Sequence, residues 1–281
     1  MGPSAIRAAG LQARLREMGL EVEDAGDLTV VIPETQTLAD SRARYLQEIA
    51  AVCRRAAKHV GEVLEDGRVP LILGGDHSVA VGTIAGAVRH FRRQKESLGL
   101  IWFDAHADCN TPETSPSGNI HGMPLAACLG LGPDALTRLI GAGPLLDASR
   151  VALVGVRDID RDEKQNVRQS GIAVFTIRDI DEQGMRQVML QAIEIASRGT
   201  AGFHVSLDMD FVDPSDAPGV GTPCRGGAAY REAHLAMELI ADSRQMRSFE
   251  VVEVNPILDV HNQTATLAVE LTLSAFGKRI L

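Results

Sequence analysis

Short apolar runs rich in β-branched residues alternate with longer helical patterns along the whole chain, and this alternation limits the fold more than any other feature. The runs are Leu28–Ile32, Leu71–Leu73, Gly99–Phe103, Val151–Val154, Ile172–Phe175, Phe203–Leu207 and Phe249–Glu253. They read as strands without the polar alternation of a one-sided sheet, so both faces of the sheet must be covered. Between them, 41–64 places Tyr45, Ile49, Val52, Ala56, Val60 and Val63 at spacings of three and four, the signature of an amphipathic helix. Similar patterns lie at Val79–Phe91, Met185–Ala196, Tyr230–Ala241 and Asn262–Phe276. The expected fold class is α/β: a three-layer α/β/α sandwich with a central, mostly parallel sheet. No repeat, low-complexity tract or linker divides the 281 residues, which read as a single domain spanning 1–281.

Composition narrows the partners. Lys and Arg total 28 against 37 Asp and Glu, a net charge of −9 with no basic run, which gives nucleic acid no electrostatic purchase. No apolar stretch approaches the about 18 residues needed to span a bilayer. Arg7, Arg14, Arg16 and Glu17 interrupt any signal-peptide core, so the expected address is cytoplasmic. Cys53, Cys109, Cys128 and Cys224 form no C-x-x-C pair and read as free, mostly buried thiols.

In an open parallel sheet ligands bind beyond the carboxyl ends of the strands. There the sequence repeatedly places metal-binding side chains. Leu71–Leu73 leads into GGDHS, with Asp76 and His77; Gly99–Phe103 leads into DAHAD, with Asp104, His106 and Asp108. Phe203–Leu207 leads into Asp208 and Asp210, and Phe249–Val252 leads into Glu253. Residues two apart on an extended chain share a face, so each D-x-H-x-D or D-x-D set can converge if its strand end stays extended. Asp104, Asp108, Asp208 and Asp210, with His77 and His106, carry too much negative charge to share a crevice unpaired. Two divalent cations about 3.5 Å apart would resolve it. Carboxylate and imidazole donors without thiolate suit Mn, Co, Fe or Zn.

With these motifs the chain resembles the ureohydrolase family, and within it the bacterial arginases. GGDHS at 74–78, DAHAD at 104–108 and SLDMDFVDP at 206–214 carry the resemblance, extended by GTP at 221–223, YRE at 230–232 and EVNP at 253–256. The resemblance implies hydrolysis of the guanidinium group of L-arginine to L-ornithine and urea by a hydroxide bridging two Mn²⁺. One ion would be held by His77, Asp104, Asp108 and Asp208, the other by His106, Asp104, Asp208 and Asp210. Asp108 would also assist proton movement to the leaving amine. Glu253 would hold the substrate guanidinium, and His121, in GNIHG, would act as a proton shuttle. The loop NTPETSPSGN at 110–119 resembles the arginase segment that reads the amino-acid head group. Asn110, Ser115 and Ser117 would then contact the α-carboxylate, with Asn119 assisting through water. Asp160 and Glu163 would lie near the α-ammonium, and Thr222 joins the substrate-binding set. His204 reads as a core histidine or a support behind the metal ligands. The other readings are a sibling amidinohydrolase acting on agmatine, guanidinobutyrate or formimidoylglutamate, and a catalytically silent relative. Trimers or hexamers are implied, with Tyr230–Glu238 resembling an interface helix.

Two features depart from the family pattern. Phe211 stands where many arginases have glycine, and Cys224-Arg225 replaces a usually apolar pair. The chain also runs from Met1-Gly2-Pro3-Ser4 directly into a helical pattern, with Pro3 near its first turn. The resemblance puts a strand ahead of this point, lying between Leu28–Ile32 and Leu71–Leu73. An incomplete sheet with two facing edges there is the expectation.

Overall fold

The structure, a computed structural model, describes residues 1–32 and 35–279. Six strands form one parallel sheet: β1 (Leu71–Leu73), β2 (Gly99–Phe103), β3 (Val151–Val156), β4 (Ala173–Thr176), β5 (Phe203–Asp208) and β6 (Met246–Val252). Their order is β1-β6-β5-β2-β3-β4. The chain leaves β2 toward β3 and β4, then returns to β2's other side as β5. The crevice of a doubly wound sheet opens at such a reversal, here at the carboxyl ends of β2 and β5.

Eleven helices accompany the sheet among the described residues: α1 (Gly2–Ala8), α2 (Leu11–Glu17), α3 (Leu46–Glu65), α4 (Ala80–Arg93), α5 (Pro124–Cys128), α6 (Asp134–Thr137), α7 (Glu163–Ser170), α8 (Ile177–Gln183), α9 (Met185–Ser197), α10 (Tyr230–Ser243) and α11 (Gln263–Ala275). β2 shows how the two outer layers arise. Ile101 and Phe103 join a core with α1, α2 and α8–α11, while Leu100 and Trp102 join a second core with α3–α7. Period-two side chains of one strand thus feed both faces, as a covered parallel strand requires. α3 and α4 approach closely because Gly82 and Gly86 leave room: a Cβ on either would lie 2.5 Å from the carbonyl oxygen of Cys53 or Ala57. α8 begins at a reciprocal cap, in which the Thr176 hydroxyl accepts from Asp179 N–H and the Asp179 carboxylate accepts from Thr176 N–H.

Three expectations are corrected. Leu28–Ile32 is not a strand: it has no ladder partner, and Thr29 through Ile32 are exposed, since β-branched residues make a strand only where an edge receives them. The segment is tied down instead by Arg7 to Asp24 and Asp27 and by Arg55 to the Thr29 carbonyl. The expected pair of facing edges is therefore not formed: the described sheet ends at β1, whose ladder is with β6 alone. Finally, β5 and β6 do alternate with polar residues, yet His204, Ser206, Ser248 and Glu250 are buried and hydrogen-bonded rather than facing water.

Candidate metal centre and active site

The carboxyl ends of β1, β6, β5 and β2 lie side by side, and each contributes to one cluster. His77 heads a short 3-10 turn (His77–Val79) after β1, and its ring stacks on Trp102 with centroids 3.9 Å apart. The ring's Nδ1 lies 3.2 Å from Asp104 Oδ2, 3.1 Å from Asp108 Oδ2 and 3.2 Å from Asp208 Oδ2. Alongside, His106 Nδ1 lies 3.0 Å from Asp210 Oδ2 and 3.4 Å from Asp104 Oδ1. Asp104 therefore serves both groups, one oxygen each, and is oriented by Trp102 Nε1–H, which donates to Oδ2 at 2.9 Å.

Turns bring these side chains together, not extended strand ends. β2 stops at Phe103, and Asp108 sits at φ +51°, while β5 passes into a 3-10 turn (Met209–Phe211) capped by Asp208, whose Oδ1 accepts Asp210 N–H at 2.8 Å. The alternating spacing is thus split: Asp104, Asp108 and Asp208 turn to His77, and Asp210 turns to His106. Four carbonyls hold that turn. Arg157 donates to the carbonyl oxygens of Gly155, Asp210, Phe211 and Cys224. Phe211 is fully buried edge-on to Phe103, so the bulky residue at that position fills core space.

Glu253, after β6, also has positive φ (+63°), with its N–H anchored to the Gly75 carbonyl at 2.8 Å. Its Oε1 accepts His77 N–H at 2.8 Å and lies 3.3 Å from His121 Nδ1. Hydrogen bonding to Glu253 outweighs burial and lifts the His121 imidazole to about 9. Thr222 Oγ1 donates to Asp210 Oδ2 at 3.1 Å.

At the rim, Ser115 Oγ accepts Gly118 N–H and Ser117 Oγ accepts Asn119 N–H, leaving both hydroxyl hydrogens available. Asn110 donates to Asp160 Oδ2 at 3.0 Å. Glu163 is buried beneath them, its two oxygens accepting the N–H groups of Cys109 and Asp160. Asn119 lies on the same loop, joined to Arg44 by a parallel bridge.

Comparison with known proteins agrees with this architecture. The arginase family model matches residues 1–277. The chain belongs to the arginase family. It is 50% identical to the arginase of Bacillus caldovelox over 282 residues, covering all of this chain and 93% of that one, and 50% identical to the arginase of Brevibacillus brevis with the same coverage. The solved arginase structure from Bacillus caldovelox superposes with a TM-score of 0.95 at 49% identity, again over 100% and 93% of the two chains. The protein is an arginase-family hydrolase.

The arginase-family site also passes a physical test for metal. Three carboxylate oxygens surround His77 Nδ1, yet none lies along an N–H; that nitrogen and Asp108 Oδ2 are buried without a hydrogen-bond partner. Unpartnered buried polar atoms converging on one point are costly unless a cation completes them. The groups His77/Asp104/Asp208 and Asp104/His106/Asp210 each bring their ligand atoms within 4.8 Å of one another. Burial and then neighbouring carboxylates raise Asp208 and Asp210, while burial and then Asp104 push Asp108 to about 7.

That strain can be read as a pH dependence. Asp108 rises from 3.8 to about 7, so the folded, metal-free state binds the proton more tightly than the unfolded chain. The resulting penalty is full above about pH 7 and fades as pH falls toward the ordinary carboxylate range. His77 and His106, raised by the carboxylates against the effect of burial, contribute with the same sign. Asp104, held low by both imidazoles although burial opposes this, acts only at acid pH. The Tm of metal-free protein is expected to rise between about pH 8 and about pH 6, while the extra stabilisation from added Mn²⁺ shrinks as ligands protonate. Calorimetry in EDTA and in Mn²⁺ reads both slopes; a metal-free Tm that falls over this interval contradicts the assignment.

Sequence reasoning passed over Trp102, Arg157, Ser206 and Glu250. The alternation within β5 and β6 was the available signal for the last two. Nothing in the sequence marks Arg157, because its partners are all backbone carbonyls.

Proposed function

We propose that this chain hydrolyses L-arginine to L-ornithine and urea, with His77, Asp104, Asp108 and Asp208 holding one Mn²⁺ and His106, Asp104, Asp208 and Asp210 a second. The observation that carries this reading is the convergence of three carboxylates on an unpartnered imidazole nitrogen, next to a Glu253 carboxylate paired with His121. When bound, the two ions supply Lewis acidity and a hydroxide nucleophile near neutral pH. Glu253 binds the guanidinium through charge-assisted hydrogen bonds, for which its carboxylate must exchange His121 for the substrate. The displaced His121 then holds a proton within reach of the leaving δ-nitrogen, whose bond to the guanidinium carbon breaks as water's oxygen joins that carbon. Asp108 accepts the nucleophile's proton and passes it on, with its Oδ2 turned to the metal side beside His77. Thr222 steadies Asp210 from the rim.

Ser115 and Ser117 donate to the α-carboxylate, with Asn119 assisting through water, and Asp160 receives the α-ammonium. Asn110 and Glu163 act on that end mainly through Asp160, which both hold. We further propose that residues 1–281 act as one domain that assembles as trimers or hexamers through Tyr230–Glu238, with a cytoplasmic site of action; among the described residues no helix is long and apolar enough to cross a membrane.

Urea release from arginine, with metal-stripped protein and after Mn²⁺ addition, tests the reading. Release restored by Mn²⁺ is expected; none in its presence, or full release without metal, overturns it. Glu253→Gln removes the charge facing the guanidinium and is expected to reduce kcat/KM by roughly 10- to 10³-fold. Manganese stoichiometry should stay unchanged, because Glu253 lies outside both ligand groups; loss of bound ions in this variant would place Glu253 among the ligands instead.

A further inference from the structure

Behind His77, on the sheet face turned to α4, lies a row of polar side chains that no role above uses. Ser206 and Glu250 are register partners on β5 and β6, as are His204 and Ser248, and all four have 0% exposure. His77 Nε2 lies 2.7 Å from Ser206 Oγ. Ser206 Oγ–H donates to Glu250 Oε1 at 2.6 Å, and Thr83 Oγ–H of α4 donates to Glu250 Oε2 at 2.6 Å. His204 Nε2 stands 3.2 Å from Glu250 Oε1, with its Nδ1 2.7 Å from Ser248 Oγ. Burial works to raise the Glu250 carboxyl, but His204 and these donors hold it below its ordinary range.

A carboxylate only accepts. Ser206 therefore commits its single proton to Glu250 and can meet the imidazole only as an acceptor. That obliges His77 Nε2 to carry hydrogen and leaves the lone pair on Nδ1, facing Asp104, Asp108 and Asp208. We propose that Glu250 is a positioning residue for the metal centre, acting through Ser206 to fix which nitrogen of His77 is free and how its ring lies against Trp102. The inference rests on the binuclear reading above. Partners of this kind orient ligating histidines, and their loss typically costs about 10- to 100-fold in metal affinity.

The test is Mn²⁺ titration of the metal-free full chain, followed by electron paramagnetic resonance. This technique separates free ion, single bound ion and spin-coupled pair. The unmodified protein should bind about two ions as a coupled pair. Glu250→Gln should weaken one ion by about 10- to 100-fold and hold the other within about threefold, so that single-ion signal replaces the pair at limiting metal. Ser206→Ala should do the same, and adding Glu250→Gln to it should cost no more, since the two act in series. Glu250→Asp keeps the charge beside His204 but withdraws it from Ser206, and gives the same readout if the Gln variant does not fold. Unchanged affinity in folded Glu250 variants, equal weakening of both ions, or multiplying losses in the double variant each overturn the proposal alone. No manganese binding by the unmodified protein overturns the binuclear reading with it.

Discussion

Asp208→Ala is expected to lower kcat/KM for arginine by at least about 10³-fold while leaving the metal-free protein as stable as before, or more so. The carboxylate is buried at 3% exposure and reaches two things at once. Oδ2 faces His77 Nδ1 at 3.2 Å, and Oδ1 caps the turn that aims Asp210 at His106. Its removal therefore takes a carboxylate that both proposed ligand sets share and loosens the turn that aims Asp210 at His106. Without metal, the same carboxylate is a liability, raised well above its ordinary value by burial and by the charges of Asp210 and Asp104. Losing it relieves that repulsion. Few substitutions should separate activity from stability in this direction. Kinetics and calorimetry of the metal-free variant decide the matter: full activity removes the binuclear reading, and a collapse of the metal-free Tm makes Asp208 a structural residue instead.

The second large effect is discrimination between arginine and agmatine, which lacks the α-carboxylate. The hydroxyls of Ser115 and Ser117 each accept one backbone N–H, which leaves their protons free to donate. Agmatine leaves both without an anionic acceptor, and a site built for a polar group rejects an analogue that lacks it. Two such bonds at about 1–3 kcal/mol each correspond to roughly 30-fold to 10⁴-fold in kcat/KM. Ser117 is exposed, so water recovers part of the loss and the lower half, roughly 30- to 500-fold, is expected. Ser117→Ala should erode the preference by weakening arginine alone. Asn110→Ala should behave differently, because Asn110 is buried against Asp160 and its loss disturbs the ammonium end as well. Comparable kcat/KM for the two substrates would leave an amidinohydrolase but not an arginase.

The layered sheet was legible because its central strands announce themselves twice, by apolar runs and by the candidate metal ligands that follow them. β2 and DAHAD are the clearest case. Leu28–Ile32 misled for a physical reason: composition reports what a segment can form, while a strand also needs an edge to pair with. The candidate ligands were legible as residue types, but their geometry was not. The extended convergence expected for Asp104, His106 and Asp108 gives way to turns whose shape depends on contacts distant in sequence, such as Arg157 on the Asp210 carbonyl and Gly75 on Glu253. Glu163 illustrates the same limit. Its carboxylate reads as a substrate contact in sequence, whereas in the fold both oxygens are taken by backbone N–H groups.

Asp108 and Glu253, at φ +51° and +63°, occupy backbone conformations that glycine adopts without cost and other residues only at about 1–3 kcal/mol. Glycine at either position would relax the chain, and at 108 it would also, in the metal-free state, remove a crowded negative charge. A mutant library sorted only for resistance to heat would therefore be drawn toward glycine at 108 and 253, and so toward discarding the two carboxylates assigned to proton transfer and guanidinium binding. Stabilising this protein without disarming it means holding both positions fixed from the outset and seeking the gain elsewhere.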